Sequence, residues 1–256
     1  MRPTPEVLAA YGAGPYVVPL AGGQGTSWRA GDLVLKPVDM PEGALTWLDT
    51  VLRARMNDGS VRVSLPLRAR DGALQVDGWC AFPHLAGSHE PGRWAEIAAA
   101  GATFARLTAG LPRPAFLDDR TDLWAVADRF AWGEVDLPHV RDVPEVAVAL
   151  ARRRGLTAPS TVMHGDLTGN VLFAPSEPPA LIDLSLYWRP VRYGTAIVAL
   201  DAVCFEGAPH ELLTTLDPQP DARQYLLRAL LFRMVTDLVI DPGASLAAYE
   251  PVLALL

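Results

Sequence analysis

The sequence predicts an α+β fold, with short strands in its first third and helices through most of the remainder. Three observations carry that reading. Apolar runs punctuated by glycine turns fill residues 16–37, the pattern of short strands joined by tight connections. From Trp94 onward apolar residues recur at three- and four-residue steps, the period of a helix with one buried stripe. Between the helical stretches lies one segment of another kind, from Val162 to Asp183. There Val162-Met163 leads into His164-Gly165-Asp166-Leu167-Thr168-Gly169-Asn170, then Val171-Leu172-Phe173, a proline-bounded turn, and Ala180-Leu181-Ile182-Asp183.

Composition sets the limits. The 256 residues are 50% apolar and 20% charged, which is globular rather than disordered and sufficient for one large domain or two lobes. A net charge of −7 argues against a nucleic-acid partner, which needs concentrated Lys and Arg. Cys80 and Cys204 are too far apart for a zinc motif and too few for a disulfide framework, and a reducing cytoplasm is the expected setting. No uninterrupted apolar window is long enough to span a bilayer, and Pro3, Pro5, Gly12, Gly14 and Pro15 break up the N-terminus where a signal sequence would be continuous. No membrane association is expected.

Taken in order, residues 5–11 read as a helix ended by Gly12. Tyr16–Leu20 reads as a strand, followed by a glycine loop, Ala21-Gly22-Gly23-Gln24-Gly25-Thr26-Ser27. A second short strand starts at Trp28, and Leu33-Val34-Leu35-Lys36-Pro37 is a third. Glycines let backbone N–H groups approach an anion without Cβ interference, and Thr26 and Ser27 add hydroxyl donors. No Gly-Lys-Ser/Thr follows, so the loop is not a Walker A motif. Lys36 is the sole lysine of the chain; arginine takes every other basic position, which marks Lys36 as functional. Pro41–Met56 reads as a helix with Leu45, Leu48, Leu52 and Met56 on one stripe. Two strands follow, over residues 61–68 and 73–82, turning at Arg70-Asp71-Gly72.

Helices are then expected over residues 93–109, 144–154, 195–205 and 221–239, with a short one from Ala244. The acids Asp118, Asp119, Asp122, Asp128, Glu134 and Asp136 suggest a solvated face. Trp188 and Arg189 either face a ligand or pack on the following helix. In the central segment a loop feeds a two-strand hairpin and gathers Asp166, Asn170 and Asp183. A carboxylate and an amide carbonyl suit Mg²⁺ beside phosphates, and a carboxylate left off the metal can accept or orient a hydroxyl proton.

His164-Gly165-Asp166-Leu167, a following Asn170, and Ile182-Asp183 resemble the catalytic segment of the aminoglycoside phosphotransferase and choline kinase group, which shares the protein-kinase-like two-lobe fold. One departure stands out: Asn170 lies four residues after Asp166, where the group usually has five, and Gly169 could absorb the tighter turn.

The resemblance implies a small antiparallel-sheet lobe over residues 1–84 and a mainly helical lobe over 85–256. It implies a phosphotransferase that uses ATP or GTP with Mg²⁺ and moves the γ-phosphate to a hydroxyl of a small molecule, aminoglycoside-like, sugar or amino alcohol. By the same resemblance, Gly22, Gly23, Gly25, Thr26 and Ser27 cradle the phosphates and Lys36 reaches the α- and β-phosphates. Glu42 or Asp49 holds the lysine, and the backbone from Phe82 through His84 to Leu85 meets the adenine edge. Asp166 acts on the acceptor hydroxyl, with His164 supporting its loop, while Asn170 and Asp183 hold Mg²⁺. Asp201, an acid in an apolar run, braces the catalytic loop. The alternative is a catalytically degenerate, nucleotide-binding regulatory protein on the same fold. A metal-dependent hydrolase using His164, Asp166 and Asp183 ranks last, because it leaves the glycine loop and Lys36 without a role.

Overall fold

The computed structural model describes residues 1–20, 25–41 and 43–256. The chain opens with α1 (Pro5–Ala10), capped by Thr4, whose hydroxyl accepts the Val7 N–H. Strands β1 (Val18–Pro19), β2 (Trp28–Ala30) and β3 (Leu33–Pro37) follow. Next come α2 (Ala44–Trp47), a π-helical stretch Leu48–Leu52, and α3 (Arg53–Arg55), then β4 (Arg62–Val63) and β5 (Trp79–Pro83). The helices α4 (Trp94–Leu107), α5 (Leu123–Trp132), α6 (Pro138–Arg141) and α7 (Pro144–Arg152) precede four short strands: β6 (Thr161–His164), β7 (Val171–Leu172), β8 (Ala180–Leu181) and β9 (Leu186–Arg189). Four helices complete the chain: α8 (Val191–Phe205), α9 (Leu212–Thr215), α10 (Ala222–Ile240) and α11 (Glu250–Leu255).

The chain divides into two compact units. The first comprises residues 1–88, 114–118 and 172–184; the second comprises 89–113, 119–171 and 185–256.

In the first unit β1, β2, β3 and β5 form an antiparallel sheet in that order. Alternation sends successive side chains of a strand to opposite faces, and the register uses both. Ala30, Leu35, Trp79 and Ala81 pack on Val7, Leu8 and Val17. Lys36 stands opposite Cys80, and on that second face Cys80 and Phe82 meet Leu45 of α2. Of the expected stripe Leu45, Leu48 and Leu52 are buried, while Met56 is half-buried just past the helix end; the helix expected from Pro41 begins at Ala44, behind Gly43 at φ +81°. It also widens into the π-helical stretch Leu48–Leu52.

The strands expected over residues 61–68 and 73–82 are corrected. The first shrinks to β4, which pairs in parallel with β8. The second divides at Asp77-Gly78, whose φ values of +48° and +76° form the tight turn that brings Val76 opposite Trp79. Asp-Gly is the signature of that two-residue connection. On its other side β8 neighbours β7, so the expected hairpin is present.

The second unit is built around α10, which is buried along nearly its whole length from Ala222 to Leu238. It packs against α5, α7 and α8, while α4 contacts α8 and β6. A helix enclosed by neighbours needs no polar stripe, so its apolar residues recur without a clean period. Strands β6 and β9 pair antiparallel, with Val162 opposite Trp188 and His164 opposite Leu186. Among the described residues no helix is long and apolar enough to cross a membrane.

Candidate active site

Lys36 and Asp183 lie in the first unit. The lysine Nζ lies 2.7 Å from Asp183 Oδ1 and 5.0 Å from the centre of the Phe82 ring, a favourable position for a cation. Burial works against the ammonium, but the adjacent Asp183 carboxylate outweighs it and holds the Lys36 pKa above its ordinary value. Asp183 occupies the left-handed region at φ +47°, uncommon outside glycine and a sign that the surrounding structure fixes this residue for a purpose. Its side chain is exposed, so the carboxylate has room for a further ligand.

Among the described residues, the acid paired with Lys36 is Asp183. Asp49, the other described candidate, turns instead to Arg53 and Arg68, at 3.1 and 2.6 Å. Glu42, Gly22 and Gly23 lie outside the described residues. At the near end of the glycine loop Gly25 has φ +67°, and Gly25 and Thr26 are exposed. The Leu20 N–H donates to the Ser27 carbonyl at 3.0 Å, closing the strand pair below the loop.

Phe82 and His84 are placed with their backbones toward β3. The His84 N–H donates to the Asp32 carbonyl at 2.8 Å, and Phe82 stands opposite Val34. Antiparallel ladders alternate in direction, so the Pro83 carbonyl turns the other way, where the Ser64 hydroxyl lies 3.5 Å from it.

The loop from His164 to Asn170 lies in the second unit. His164 is buried, and its Nδ1 accepts the Asp166 N–H at 3.1 Å. The expected supporting role is thus what the geometry shows, and an accepting Nδ1 leaves the ring proton on Nε2. The short Asp166-to-Asn170 spacing closes as a turn: the Asn170 N–H donates to the Leu167 carbonyl at 2.9 Å, with Gly169 at φ +83°, the conformation a type II turn requires of its third residue. Asn170 Nδ2 then donates to the Asp166 carbonyl at 2.8 Å and to Asp166 Oδ2 at 3.1 Å. Only the nitrogen end of the amide can serve two acceptors, so Asn170 Oδ1 faces away from Asp166 and remains available to a cation.

Glycines let this loop pack closely. A Cβ on Gly165 would lie 2.5 Å from the Tyr187 ring, and one on Gly194 would lie 2.9 Å from Met163 Cε. Gly165 also donates its N–H to the Ser185 carbonyl at 2.8 Å.

Asp201 braces the loop, as expected, but does so through Arg233, which sequence reasoning missed. Arg233 Nε and Nη2 reach Asp201 at 2.8 and 2.5 Å, and Nη2 also reaches Asp166 Oδ1 at 2.7 Å. Burial pushes the Asp201 carboxyl upward against the opposing pull of Arg233. Burial likewise opposes the Arg233 charge, but Asp201 and Asp166 outweigh it and raise its pKa well above the ordinary arginine value. A charged residue inside the apolar run of α10 was the available signal.

For Arg189 the structure selects one of the two open readings, and for Asp128 the expectation changes. Arg189 is buried and pairs with Asp128 at 2.6 Å and with Glu134 at 2.5 Å, its guanidinium 4.9 Å from the Trp132 ring centre. It packs rather than facing a ligand. Asp128 is likewise buried, not part of a solvated face.

No protein-family model matches the chain, and no curated protein matches it in sequence. Solved structures do. An aminoglycoside phosphotransferase from Alicyclobacillus acidocaldarius matches with a TM-score of 0.60 over 100% of this chain and 93% of its own, at 14% identity. A choline kinase from Streptococcus pneumoniae matches at 0.63 over 98% and 97%, with 13% identity. The fold is that of the aminoglycoside phosphotransferases and choline kinases. An amicoumacin kinase solved with AMP-PNP, Ca²⁺ and its ligand shares this phosphotransferase-like fold, at a TM-score of 0.63, 98% and 89% coverage and 12% identity.

Proposed function

We propose that the chain is a Mg²⁺-dependent phosphotransferase that moves the γ-phosphate of ATP or GTP to a hydroxyl group of a small molecule. The observation that carries this reading is the Asn170 amide. Both of its donor contacts go to Asp166, so one turn supplies an oriented carboxylate and a carbonyl oxygen directed elsewhere. Fold alone does not imply activity; this pairing is what a transfer site needs beyond the fold.

In this reading residues 1–84 bind the nucleotide and residues 85–256 carry the acceptor chemistry. Gly22, Gly23, Gly25, Thr26 and Ser27 hold the phosphates by backbone and hydroxyl donors, and Lys36 binds the α- and β-phosphates. The purine edge meets backbone groups in the stretch from Phe82 through His84 to Leu85. Asn170 Oδ1 and the Asp183 carboxylate fit a hard cation that takes oxygen ligands. When bound, Mg²⁺ neutralises the β- and γ-phosphate charge and steadies the leaving diphosphate.

Asp166 accepts a hydrogen bond from the acceptor hydroxyl and orients its oxygen toward the γ-phosphorus. The new P–O bond forms as the β–γ bridging P–O bond breaks. The diphosphate leaves with that electron pair, and the hydroxyl proton passes to Asp166 and then to solvent. Spectinomycin and choline, named with two of the structural neighbours, support the choice of a small polar molecule as acceptor.

Calorimetry with ATP and GTP, with and without Mg²⁺, tests the reading, followed by radiolabelled phosphate transfer to a panel of amino alcohols, aminoglycosides and sugars. The expected result is Mg²⁺-dependent binding that is lost in Asp183→Ala, with transfer to at least one acceptor. Binding without any transfer would favour the regulatory alternative. No binding of either nucleotide would overturn both.

A further inference from the structure

We infer that Arg233 is a positioning residue for transfer: anchored by Asp201, it holds the Asp166 carboxylate in one rotamer. The inference rests on the phosphotransferase reading and names a residue outside the motifs that suggested it.

Arg233 stands in an apolar setting. It is carried by α10 among Leu230, Leu231, Phe232, Met234 and Val235, all buried. Withdrawing a guanidinium from water is costly, and a buried ion pair is often no more stabilising than apolar residues of similar volume. Stability alone gives little reason for a charge here. Asp201 by itself would satisfy Arg233, because Nε and Nη2 already form a two-point contact with its carboxylate. Yet Nη2 is shared with Asp166 Oδ1 at 2.7 Å.

The consequence falls on the geometry of Asp166. Arg233 takes a lone-pair site on Oδ1, and Asn170 takes one on Oδ2 at 3.1 Å. Two contacts on different oxygens fix both the rotation about Cα–Cβ and the tilt of the carboxylate plane. Each ionised oxygen has a second acceptor site, and the side chain remains partly exposed, so a hydroxyl donor can still reach it. Asn170 comes from the same loop and moves with it. Arg233 comes from a buried helix and ties the loop to the core of its unit.

Three variants test this: Arg233→Met, Arg233→Lys, and the double variant Asp201→Asn/Arg233→Met, which avoids stranding a buried carboxylate. Arg233→Met should lower kcat about 10²-fold, the loss that follows a misplacement of about 1 Å at a reacting group, with nucleotide KM unchanged. Arg233→Lys should recover part of that kcat. The double variant should regain melting temperature lost in Arg233→Met but not its kcat. A double variant that transfers at the wild-type rate, or a kcat that simply follows melting temperature, would overturn the inference.

If the wild-type protein transfers no phosphate, the phosphotransferase reading fails by itself. The crystal structure of the double variant then decides the positioning role. Asp166 turned out of its present rotamer supports it, and Asp166 unmoved with Asn170 still donating to it refutes it.

Discussion

Replacing Gly165 by alanine places a methyl group where the Tyr187 ring already lies. An ideal Cβ there would be 2.5 Å from Cδ2 and 2.6 Å from Cε2 of that ring, against a comfortable carbon–carbon separation of about 3.5–4.0 Å. One partner must retreat by about 1 Å to reach that separation. The ring has nowhere to go: Tyr187 is buried, meets Phe232 edge-on at 5.8 Å and lies under the Arg120 guanidinium at 4.8 Å. The backbone is no freer, because the Gly165 N–H is bonded to Ser185.

Overpacking of this kind costs about 1–3 kcal/mol, and in proteins of this size each kcal/mol lowers Tm by about 2–4 °C. The displaced backbone also carries His164 and Asp166, so transfer should fall more steeply than stability. Differential scanning calorimetry paired with the transfer rate would measure both, and Gly165→Ala/Tyr187→Leu should recover part of the lost Tm. An alanine variant with unchanged Tm and unchanged transfer would refute the close-packing argument.

Other changes probe the remaining parts. Asp166→Asn should abolish transfer while nucleotide affinity measured by calorimetry persists; loss of both would make Asp166 a structural residue. Gly169→Ala forces a side chain into φ +83°, at about 1–2 kcal/mol, and should shift Asn170 enough to raise the Mg²⁺ concentration needed for half-maximal transfer. Lys36→Met should weaken nucleotide binding, and its effect on stability has a defined pH window. The folded-state pKa of Lys36 lies above its ordinary value of 10.5. The pair with Asp183 therefore stabilises fully below that value and is lost as pH rises through the folded pKa. Urea unfolding should show wild type above Lys36→Met at neutral pH, with the gap closing beyond about pH 10.5; a gap independent of pH would exclude the ion pair as its source.

Much of this arrangement could be read along the chain. His164, Gly165, Asp166, Gly169 and Asn170 lie within seven consecutive residues, and a turn is a local object: Gly169 tolerates the required φ, and the Asn170 amide can reach only what the turn presents. Lys36 stood out because composition isolates it. The stripe of Leu45, Leu48 and Leu52 followed from period alone. Errors arose where a local pattern had two solutions. Residues 73–82 looked like one strand until Asp77-Gly78 folded it back. The stretch from Phe82 to Leu85 was placed by its order in the chain, whereas which of its backbone groups turn toward β3 depends on the register.

Sequence by itself determined the α+β class, the His164-to-Asn170 turn and the isolation of Lys36, because each rests on neighbours in the chain or on counts within it. The tertiary structure alone decided the pairings. Lys36 meets Asp183 across 147 positions and Asp166 meets Arg233 across 67, while Asp49 is diverted to arginines 4 and 19 residues away. An ion pair depends on a few ångströms of separation, and separation along the chain carries no information about that distance once strands and helices have packed.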